Sequence, residues 1–153
     1  MKSLELKVPP VALVLAAGPA MWLAARGLPA LRMELPGGAF VAGVFAALGI
    51  LIAIAGVAEF RRARTTVNPM NPSGASSLVS GGVYRFTRNP MYLGMAFVLA
   101  GWGLTLGHPV SLALLFAFVL YMNRFQIIPE ERALEAIFGE AFADYCVRVR
   151  RWL

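Results

Sequence analysis

The chain has 153 residues, 59% of them hydrophobic, and its mean hydropathy is +0.68. Soluble domains carry roughly 45–50% apolar residues with glycine included, and this chain exceeds that before its 15 glycines are counted, so the composition indicates one membrane domain. A single cysteine and a single histidine exclude an internal disulfide and a Cys/His metal site, and the net charge of +6 lies between apolar runs rather than in a patch suited to nucleic acid.

Four apolar runs follow one another: Val8 to Ala25, Gly37 to Ala58, Met91 to Gly107, and Val110 to Met122, the last continuing through Phe125, Ile127 and Ile128. A hydrocarbon core of ~30 Å takes about 20 helical residues, so the second run spans most comfortably. Gly18-Pro19 divides the first run, and "GHP" at 107 to 109 joins the third and fourth into a hairpin. Because Lys2 and Lys7 precede the first run, it can also be read as a secretory leader, but its apolar stretch is long for one and favours a span.

The expected fold is therefore all-α: a polytopic membrane bundle of about four transmembrane helices with an amphipathic C-terminal helix. Two spans occupy 1–58, a cytoplasmic loop 59–90, the hairpin 91–128 and the tail helix 129–153. This threading puts 12 of the 14 lysines and arginines on the side of the termini and leaves only Arg26 and Arg32 opposite. Both termini are then expected in the cytoplasm, with basic side chains against lipid head groups. An alanine-, leucine- and arginine-rich chain suggests a bacterial inner membrane.

Polar residues concentrate on that side. "TTVNPMNPSGASS" (65 to 77) reads as an ordered loop or lid. In "FTRNPMYLGM" (86 to 95), Asn89 suits an N-cap and Pro90 the first helical position, so unpaired backbone N–H groups should face an anion, with Arg88 adding donors. Each residue also has a structural reading: Arg88 as a head-group anchor, Tyr92 in the interfacial aromatic belt, Gly94 as a packing position. After Pro129, Glu130 and Glu131 fall in a first helical turn, which the macrodipole favours; the functional alternative is that one pairs with a ligand ammonium. Leu134, Ile137, Phe138, Phe142, Tyr145 and Val149 form an apolar stripe at helical spacing, with Gly139 as a bend. His108 reads as a turn residue.

Together, "LVSGGVYRFTRNPMYLG" (78 to 94), "EERALEAIFGEAFADY" (130 to 145) and "VRVRRW" resemble the isoprenylcysteine carboxyl methyltransferase family, integral membrane enzymes that use S-adenosylmethionine. The resemblance covers roughly the second half of the chain. It implies a cofactor pocket lined by Ser76, Ser77, Leu78, Val79, Tyr84, Asn89, Pro90, Met91, Tyr92 and Glu130. Arg88, Glu131 and Arg124 are the candidate catalytic groups, and the implied acceptor is a lipid or a prenylated small molecule.

This chain departs from the family twice. Asn89 stands where the family has histidine, and Gln126 replaces the arginine that holds the substrate carboxylate. Arg124, on another helix face, substitutes only if the span is distorted near Pro129. The methyl-donor machinery is thus better supported than carboxyl methylation. A phospholipid N-methyltransferase, in which Glu131 or Tyr84 would take the amine proton, and a non-catalytic lipid-binding scaffold are the alternatives.

Overall fold

The structure, a computed structural model, describes residues 4–66 and 68–153; Lys2, counted in the charge asymmetry, and Val67, in the polar loop, lie outside them. The four apolar runs form helices: α1 (Pro10–Gly27), α2 (Gly38–Arg62), α3 (Pro90–Leu106) and α4 (Pro109–Tyr121), and the described residues contain no strand. α4 continues through a π-helical turn, Met122–Ile127, into α5 (Ile128–Phe138). α1, α2 and the continuous Pro109–Phe138 helix are long and apolar enough to cross a membrane, and α3 is a shorter apolar helix between them. The chain is a helical membrane bundle.

Two expectations about helix continuity are corrected. α1 runs through Pro19 without interruption, and the indole Nε1 of Trp102 on α3 donates to the Gly18 carbonyl at 3.0 Å. Nor does a separate tail helix begin at Pro129. The break comes at Gly139, whose φ of +52° lies in the left-handed region, and α6 (Glu140–Arg148) follows.

α3 lies mainly against α2 and also touches α1 and α4. The approach to α2 is close because Ala42, Gly49 and Gly56, spaced by sevens, meet Gly101, Gly94 and the Pro90–Met91 pair in turn. A Cβ at Gly49 would lie 2.5 Å from the Gly94 carbonyl oxygen and 2.9 Å from the Val98 nitrogen. Backbone cannot rotate aside as a side chain can. Gly49→Ala should therefore destabilise the bundle by about 1–3 kcal/mol, read as a fall in thermal midpoint in detergent, whereas Gly43→Ala, with nothing within 4 Å, should not.

At the far end His108 caps α4: its Nδ1 accepts from the Val110 N–H at 3.3 Å, and its Nε2 lies 3.1 Å from the Leu28 carbonyl. At the near end α6 folds back, burying Phe142, Tyr145 and Val149 against Val79 and Tyr84. Most of the apolar stripe is used in this way, but Ile137 remains 42% exposed.

The π-helical turn has a local cause. Pro129 has no N–H for the Phe125 carbonyl, and its ring crowds that oxygen. The ladder widens, so that the Ile128 N–H donates to the Asn123 carbonyl five residues back. Gln126 and Ile127 are buried in this turn, whereas Arg124 is turned outward to Glu5, its Nη1 2.9 Å from the carboxylate.

Candidate active site

A partly enclosed cavity with about 840 Å³ of empty space, some of it open to solvent, lies where the 65–79 loop, the start of α3, α5 and α6 meet. Of the residues expected there, Ser77, Leu78, Val79, Tyr84, Arg88, Asn89, Met91, Tyr92, Glu130 and Glu131 line it. Ser76, Pro90 and Arg124 do not. The Ser76 N–H donates to Thr65 Oγ1, Pro90 is buried, its ring against Gly56, and Arg124 serves Glu5.

Tyr92 and Glu130 come together at the centre. The Tyr92 hydroxyl and the Gln126 amide Nε2 both donate to Glu130 Oε1, and no hydrogen-bond donor among the described residues meets Oε2. No arginine or lysine among them pairs with this carboxylate. A half-buried carboxylate held only by neutral donors is costly, and a cationic ligand would relieve it.

Glu131, the next residue, has the opposite surroundings. Arg88 Nη2 reaches its Oε1 at 2.8 Å and Arg151 Nη2 its Oε2 at 2.7 Å. Arg88 Nη1 also donates to the carbonyls of Cys146 and Val149, at 3.0 and 2.7 Å, and so caps the C-terminal end of α6. Arg88 thus holds the tail, which differs from the anion-binding role expected of it. Glu131 is likewise ion-paired and poorly placed to accept a proton.

Asn89 occupies the N-cap position of α3 without capping it. Its Nδ2 donates instead to the Arg151 carbonyl at 3.0 Å, beside a backbone bond from the Arg88 N–H to the Arg150 carbonyl at 2.9 Å. The closing "VRVRRW" is therefore sewn to the start of α3, and the first-turn N–H groups of Met91 and Tyr92 lack a side-chain cap. Burial pushes the Tyr84 hydroxyl well above its ordinary range, with Tyr145, Glu130 and Glu59 adding to the effect. Tyr84 stays protonated near neutral pH and is no general base.

Sequence reasoning missed several cavity residues: Phe60 at the end of α2, Phe142 and Tyr145 on α6, and Thr66, Asn68 and Pro69 in the loop. It noted Gln126 only as a departure from a family pattern. Gln126 is 2% exposed and also donates to the Pro69 carbonyl at 2.7 Å, tying the loop to the helix that bears Glu130.

A helical membrane protein with a largely apolar cavity, set with a few polar groups, at one end of its bundle is the class this geometry defines. The chain matches the phospholipid methyltransferase family over residues 38–141, more than half its length, and belongs to that family of membrane methyltransferases. It is 34% identical to protein-S-isoprenylcysteine O-methyltransferase A of Arabidopsis thaliana over 103 residues, which cover 67% of this chain and 52% of that protein. With protein-S-isoprenylcysteine O-methyltransferase B of the same plant it shares 37% identity over 73 residues, 47% of this chain and 36% of the relative. An uncharacterised Haemophilus influenzae protein is 41% identical over 63 residues, its entire length and 41% of this chain. The chain thus spans about half the length of the first plant protein and about a third of the second. No solved structure matches it significantly. The motif resemblance to the isoprenylcysteine methyltransferases is borne out by these relatives.

Proposed function

We propose that the protein transfers a methyl group from S-adenosylmethionine to a lipid-like acceptor at the cytoplasmic face of a bacterial inner membrane. The observation that carries this reading is Glu130, half-buried at the cavity wall with one oxygen fixed by Tyr92 and Gln126 and the other without a protein partner among the described residues. The donor is a zwitterion with an added sulfonium cation, and it supplies an electrophilic methyl carbon. Glu130 Oε2 would take its ammonium group. The first-turn N–H groups of α3 would take its carboxylate, and the rings of Tyr84, Tyr92 and Phe142 offer faces to adenine or to the sulfonium.

Methyl transfer is an in-line displacement, so the protein's part is to align the nucleophile and exclude water. The 65–77 loop, tied down through Pro69, is placed to do the excluding. No covalent link to the enzyme is required.

The relatives' names concern O-methylation of isoprenylcysteine, but one feature here favours an amine acceptor such as a phospholipid head group, which would react as the free amine after giving its proton to solvent, since neither Glu131 nor Tyr84 is placed to take it. Arg88 is the sole guanidinium lining the cavity among the described residues, and it is committed to Glu131 and two carbonyls; where the resemblance has an arginine there is neutral Gln126. An acceptor carboxylate would find no cation there. Purified protein in vesicles should transfer labelled methyl from S-adenosylmethionine to phosphatidylethanolamine, giving a base-stable product. A base-labile product from a prenylcysteine analogue would restore the carboxyl reading, and absence of donor binding in calorimetry would leave a scaffold.

A further inference from the structure

Residues 4–9 lie outside the stretch that matches the family and do not line the cavity, yet they grip the distorted part of the helix that bears Glu130. The Leu6 N–H donates at 3.0 Å to the Phe125 carbonyl, the same oxygen that Pro129 leaves without its α-helical donor. Leu6 does this at φ +56°, a left-handed conformation that a leucine keeps only where its surroundings impose it. Beside it, Glu5 accepts from Arg124 Nη1 at 2.9 Å and from Arg132 Nη2 at 2.6 Å. These arginines lie on opposite sides of Pro129 in sequence. One carboxylate therefore bridges the π-helical turn while one backbone N–H fills its vacant bond.

Gln126 sits between those anchors, with one amide nitrogen shared by Glu130 and the Pro69 carbonyl. Its direction depends on the π-helical turn. Loss of the extra residue in that turn would rotate the helix before it by about 100° relative to the helix after it, carrying Gln126 off both partners. An exposed ion pair contributes little by itself. Here two arginines share one carboxylate, and the backbone bond lies next to them.

We infer that residues 4–9 are a positioning strap: Glu5 and Leu6 hold the π-helical turn in the register that aims Gln126 at Glu130 and at the 65–77 loop. The strap thereby sets methyl-donor affinity and loop closure from outside the cavity. Its affinity readout rests on the donor reading above; its loop readout does not.

The test uses the full chain in lipid nanodiscs, with Glu5→Gln, Gln126→Ala and the double variant. Glu5→Gln should weaken S-adenosylmethionine binding about fivefold and speed protease cleavage within 65–77, measured without ligand, by a similar factor, with the thermal midpoint unchanged. In the Gln126→Ala background the same substitution should do neither, because the residue through which the strap acts is gone. A purely structural strap would lower the midpoint and act additively in both backgrounds, and either result overturns the inference. If the unmodified protein binds no donor, the donor reading fails and loop cleavage decides by itself: rates that do not respond to Glu5→Gln sink the strap.

Discussion

Replacing Glu130 by glutamine should weaken S-adenosylmethionine binding roughly 10- to 100-fold, about 1.5–3 kcal/mol, while leaving the thermal midpoint the same or higher. The two directions have one cause. Tyr92 and Gln126 both donate to Oε1, so a glutamine carbonyl in that position keeps both hydrogen bonds. The change removes only the charge and the acceptor at Oε2, the atom without a partner. Relief of a half-buried carboxylate held only by neutral donors favours folding, and loss of the oxygen that meets the ligand ammonium disfavours binding. A purely structural Glu130 would behave otherwise. Calorimetry of the variant, with thermal unfolding of the same preparation, separates the cases: a lower midpoint with unchanged affinity would remove Glu130 from the donor site.

Readability from sequence differed between elements for physical reasons. Each apolar run was long enough to bury its own backbone polar groups in a helix, so α1 to α4 lie within a few residues of the runs that announced them. Gly139 was legible because a glycine between two halves of an apolar stripe is a local signal. The pairing of charges was not local. Arg124 finds Glu5 119 residues away, and Arg88 finds Glu131 43 residues away, contacts that no spacing along one helix could foretell. Asn89 was expected to cap α3 by residue type, but the Arg151 carbonyl, brought in by the folded tail, takes its amide. Pro129 was recognised as a point of distortion. The distortion precedes it, because a proline disturbs the carbonyl four residues back. That offset turned Gln126 into the site and Arg124 out of it.

Glu131→Ala should release the tail. The Glu131 carboxylate is shared by Arg88 and Arg151, and its loss leaves two guanidiniums facing each other with no anion between them. Breaking a fully buried pair costs ~3–5 kcal/mol; Arg151 keeps 36% of its side chain exposed and can turn to solvent, so about 2–3 kcal/mol is expected here. Arg151→Ala should cost less, since Arg88 still neutralises Glu131. Arg88→Lys should approach the Glu131→Ala effect, because a single ammonium cannot reproduce the fork that reaches Glu131, Cys146 and Val149 together. Thermal unfolding in detergent ranks the three variants, and protease cleavage after residue 139 shows whether α6 has come away. With α6 go Phe142 and Tyr145, one wall of the cavity, so donor binding should fall in step with tail release. Equal stability of Glu131→Ala and Arg151→Ala would mean that Arg88 does not depend on Glu131, and the tail would then be held by its apolar face alone.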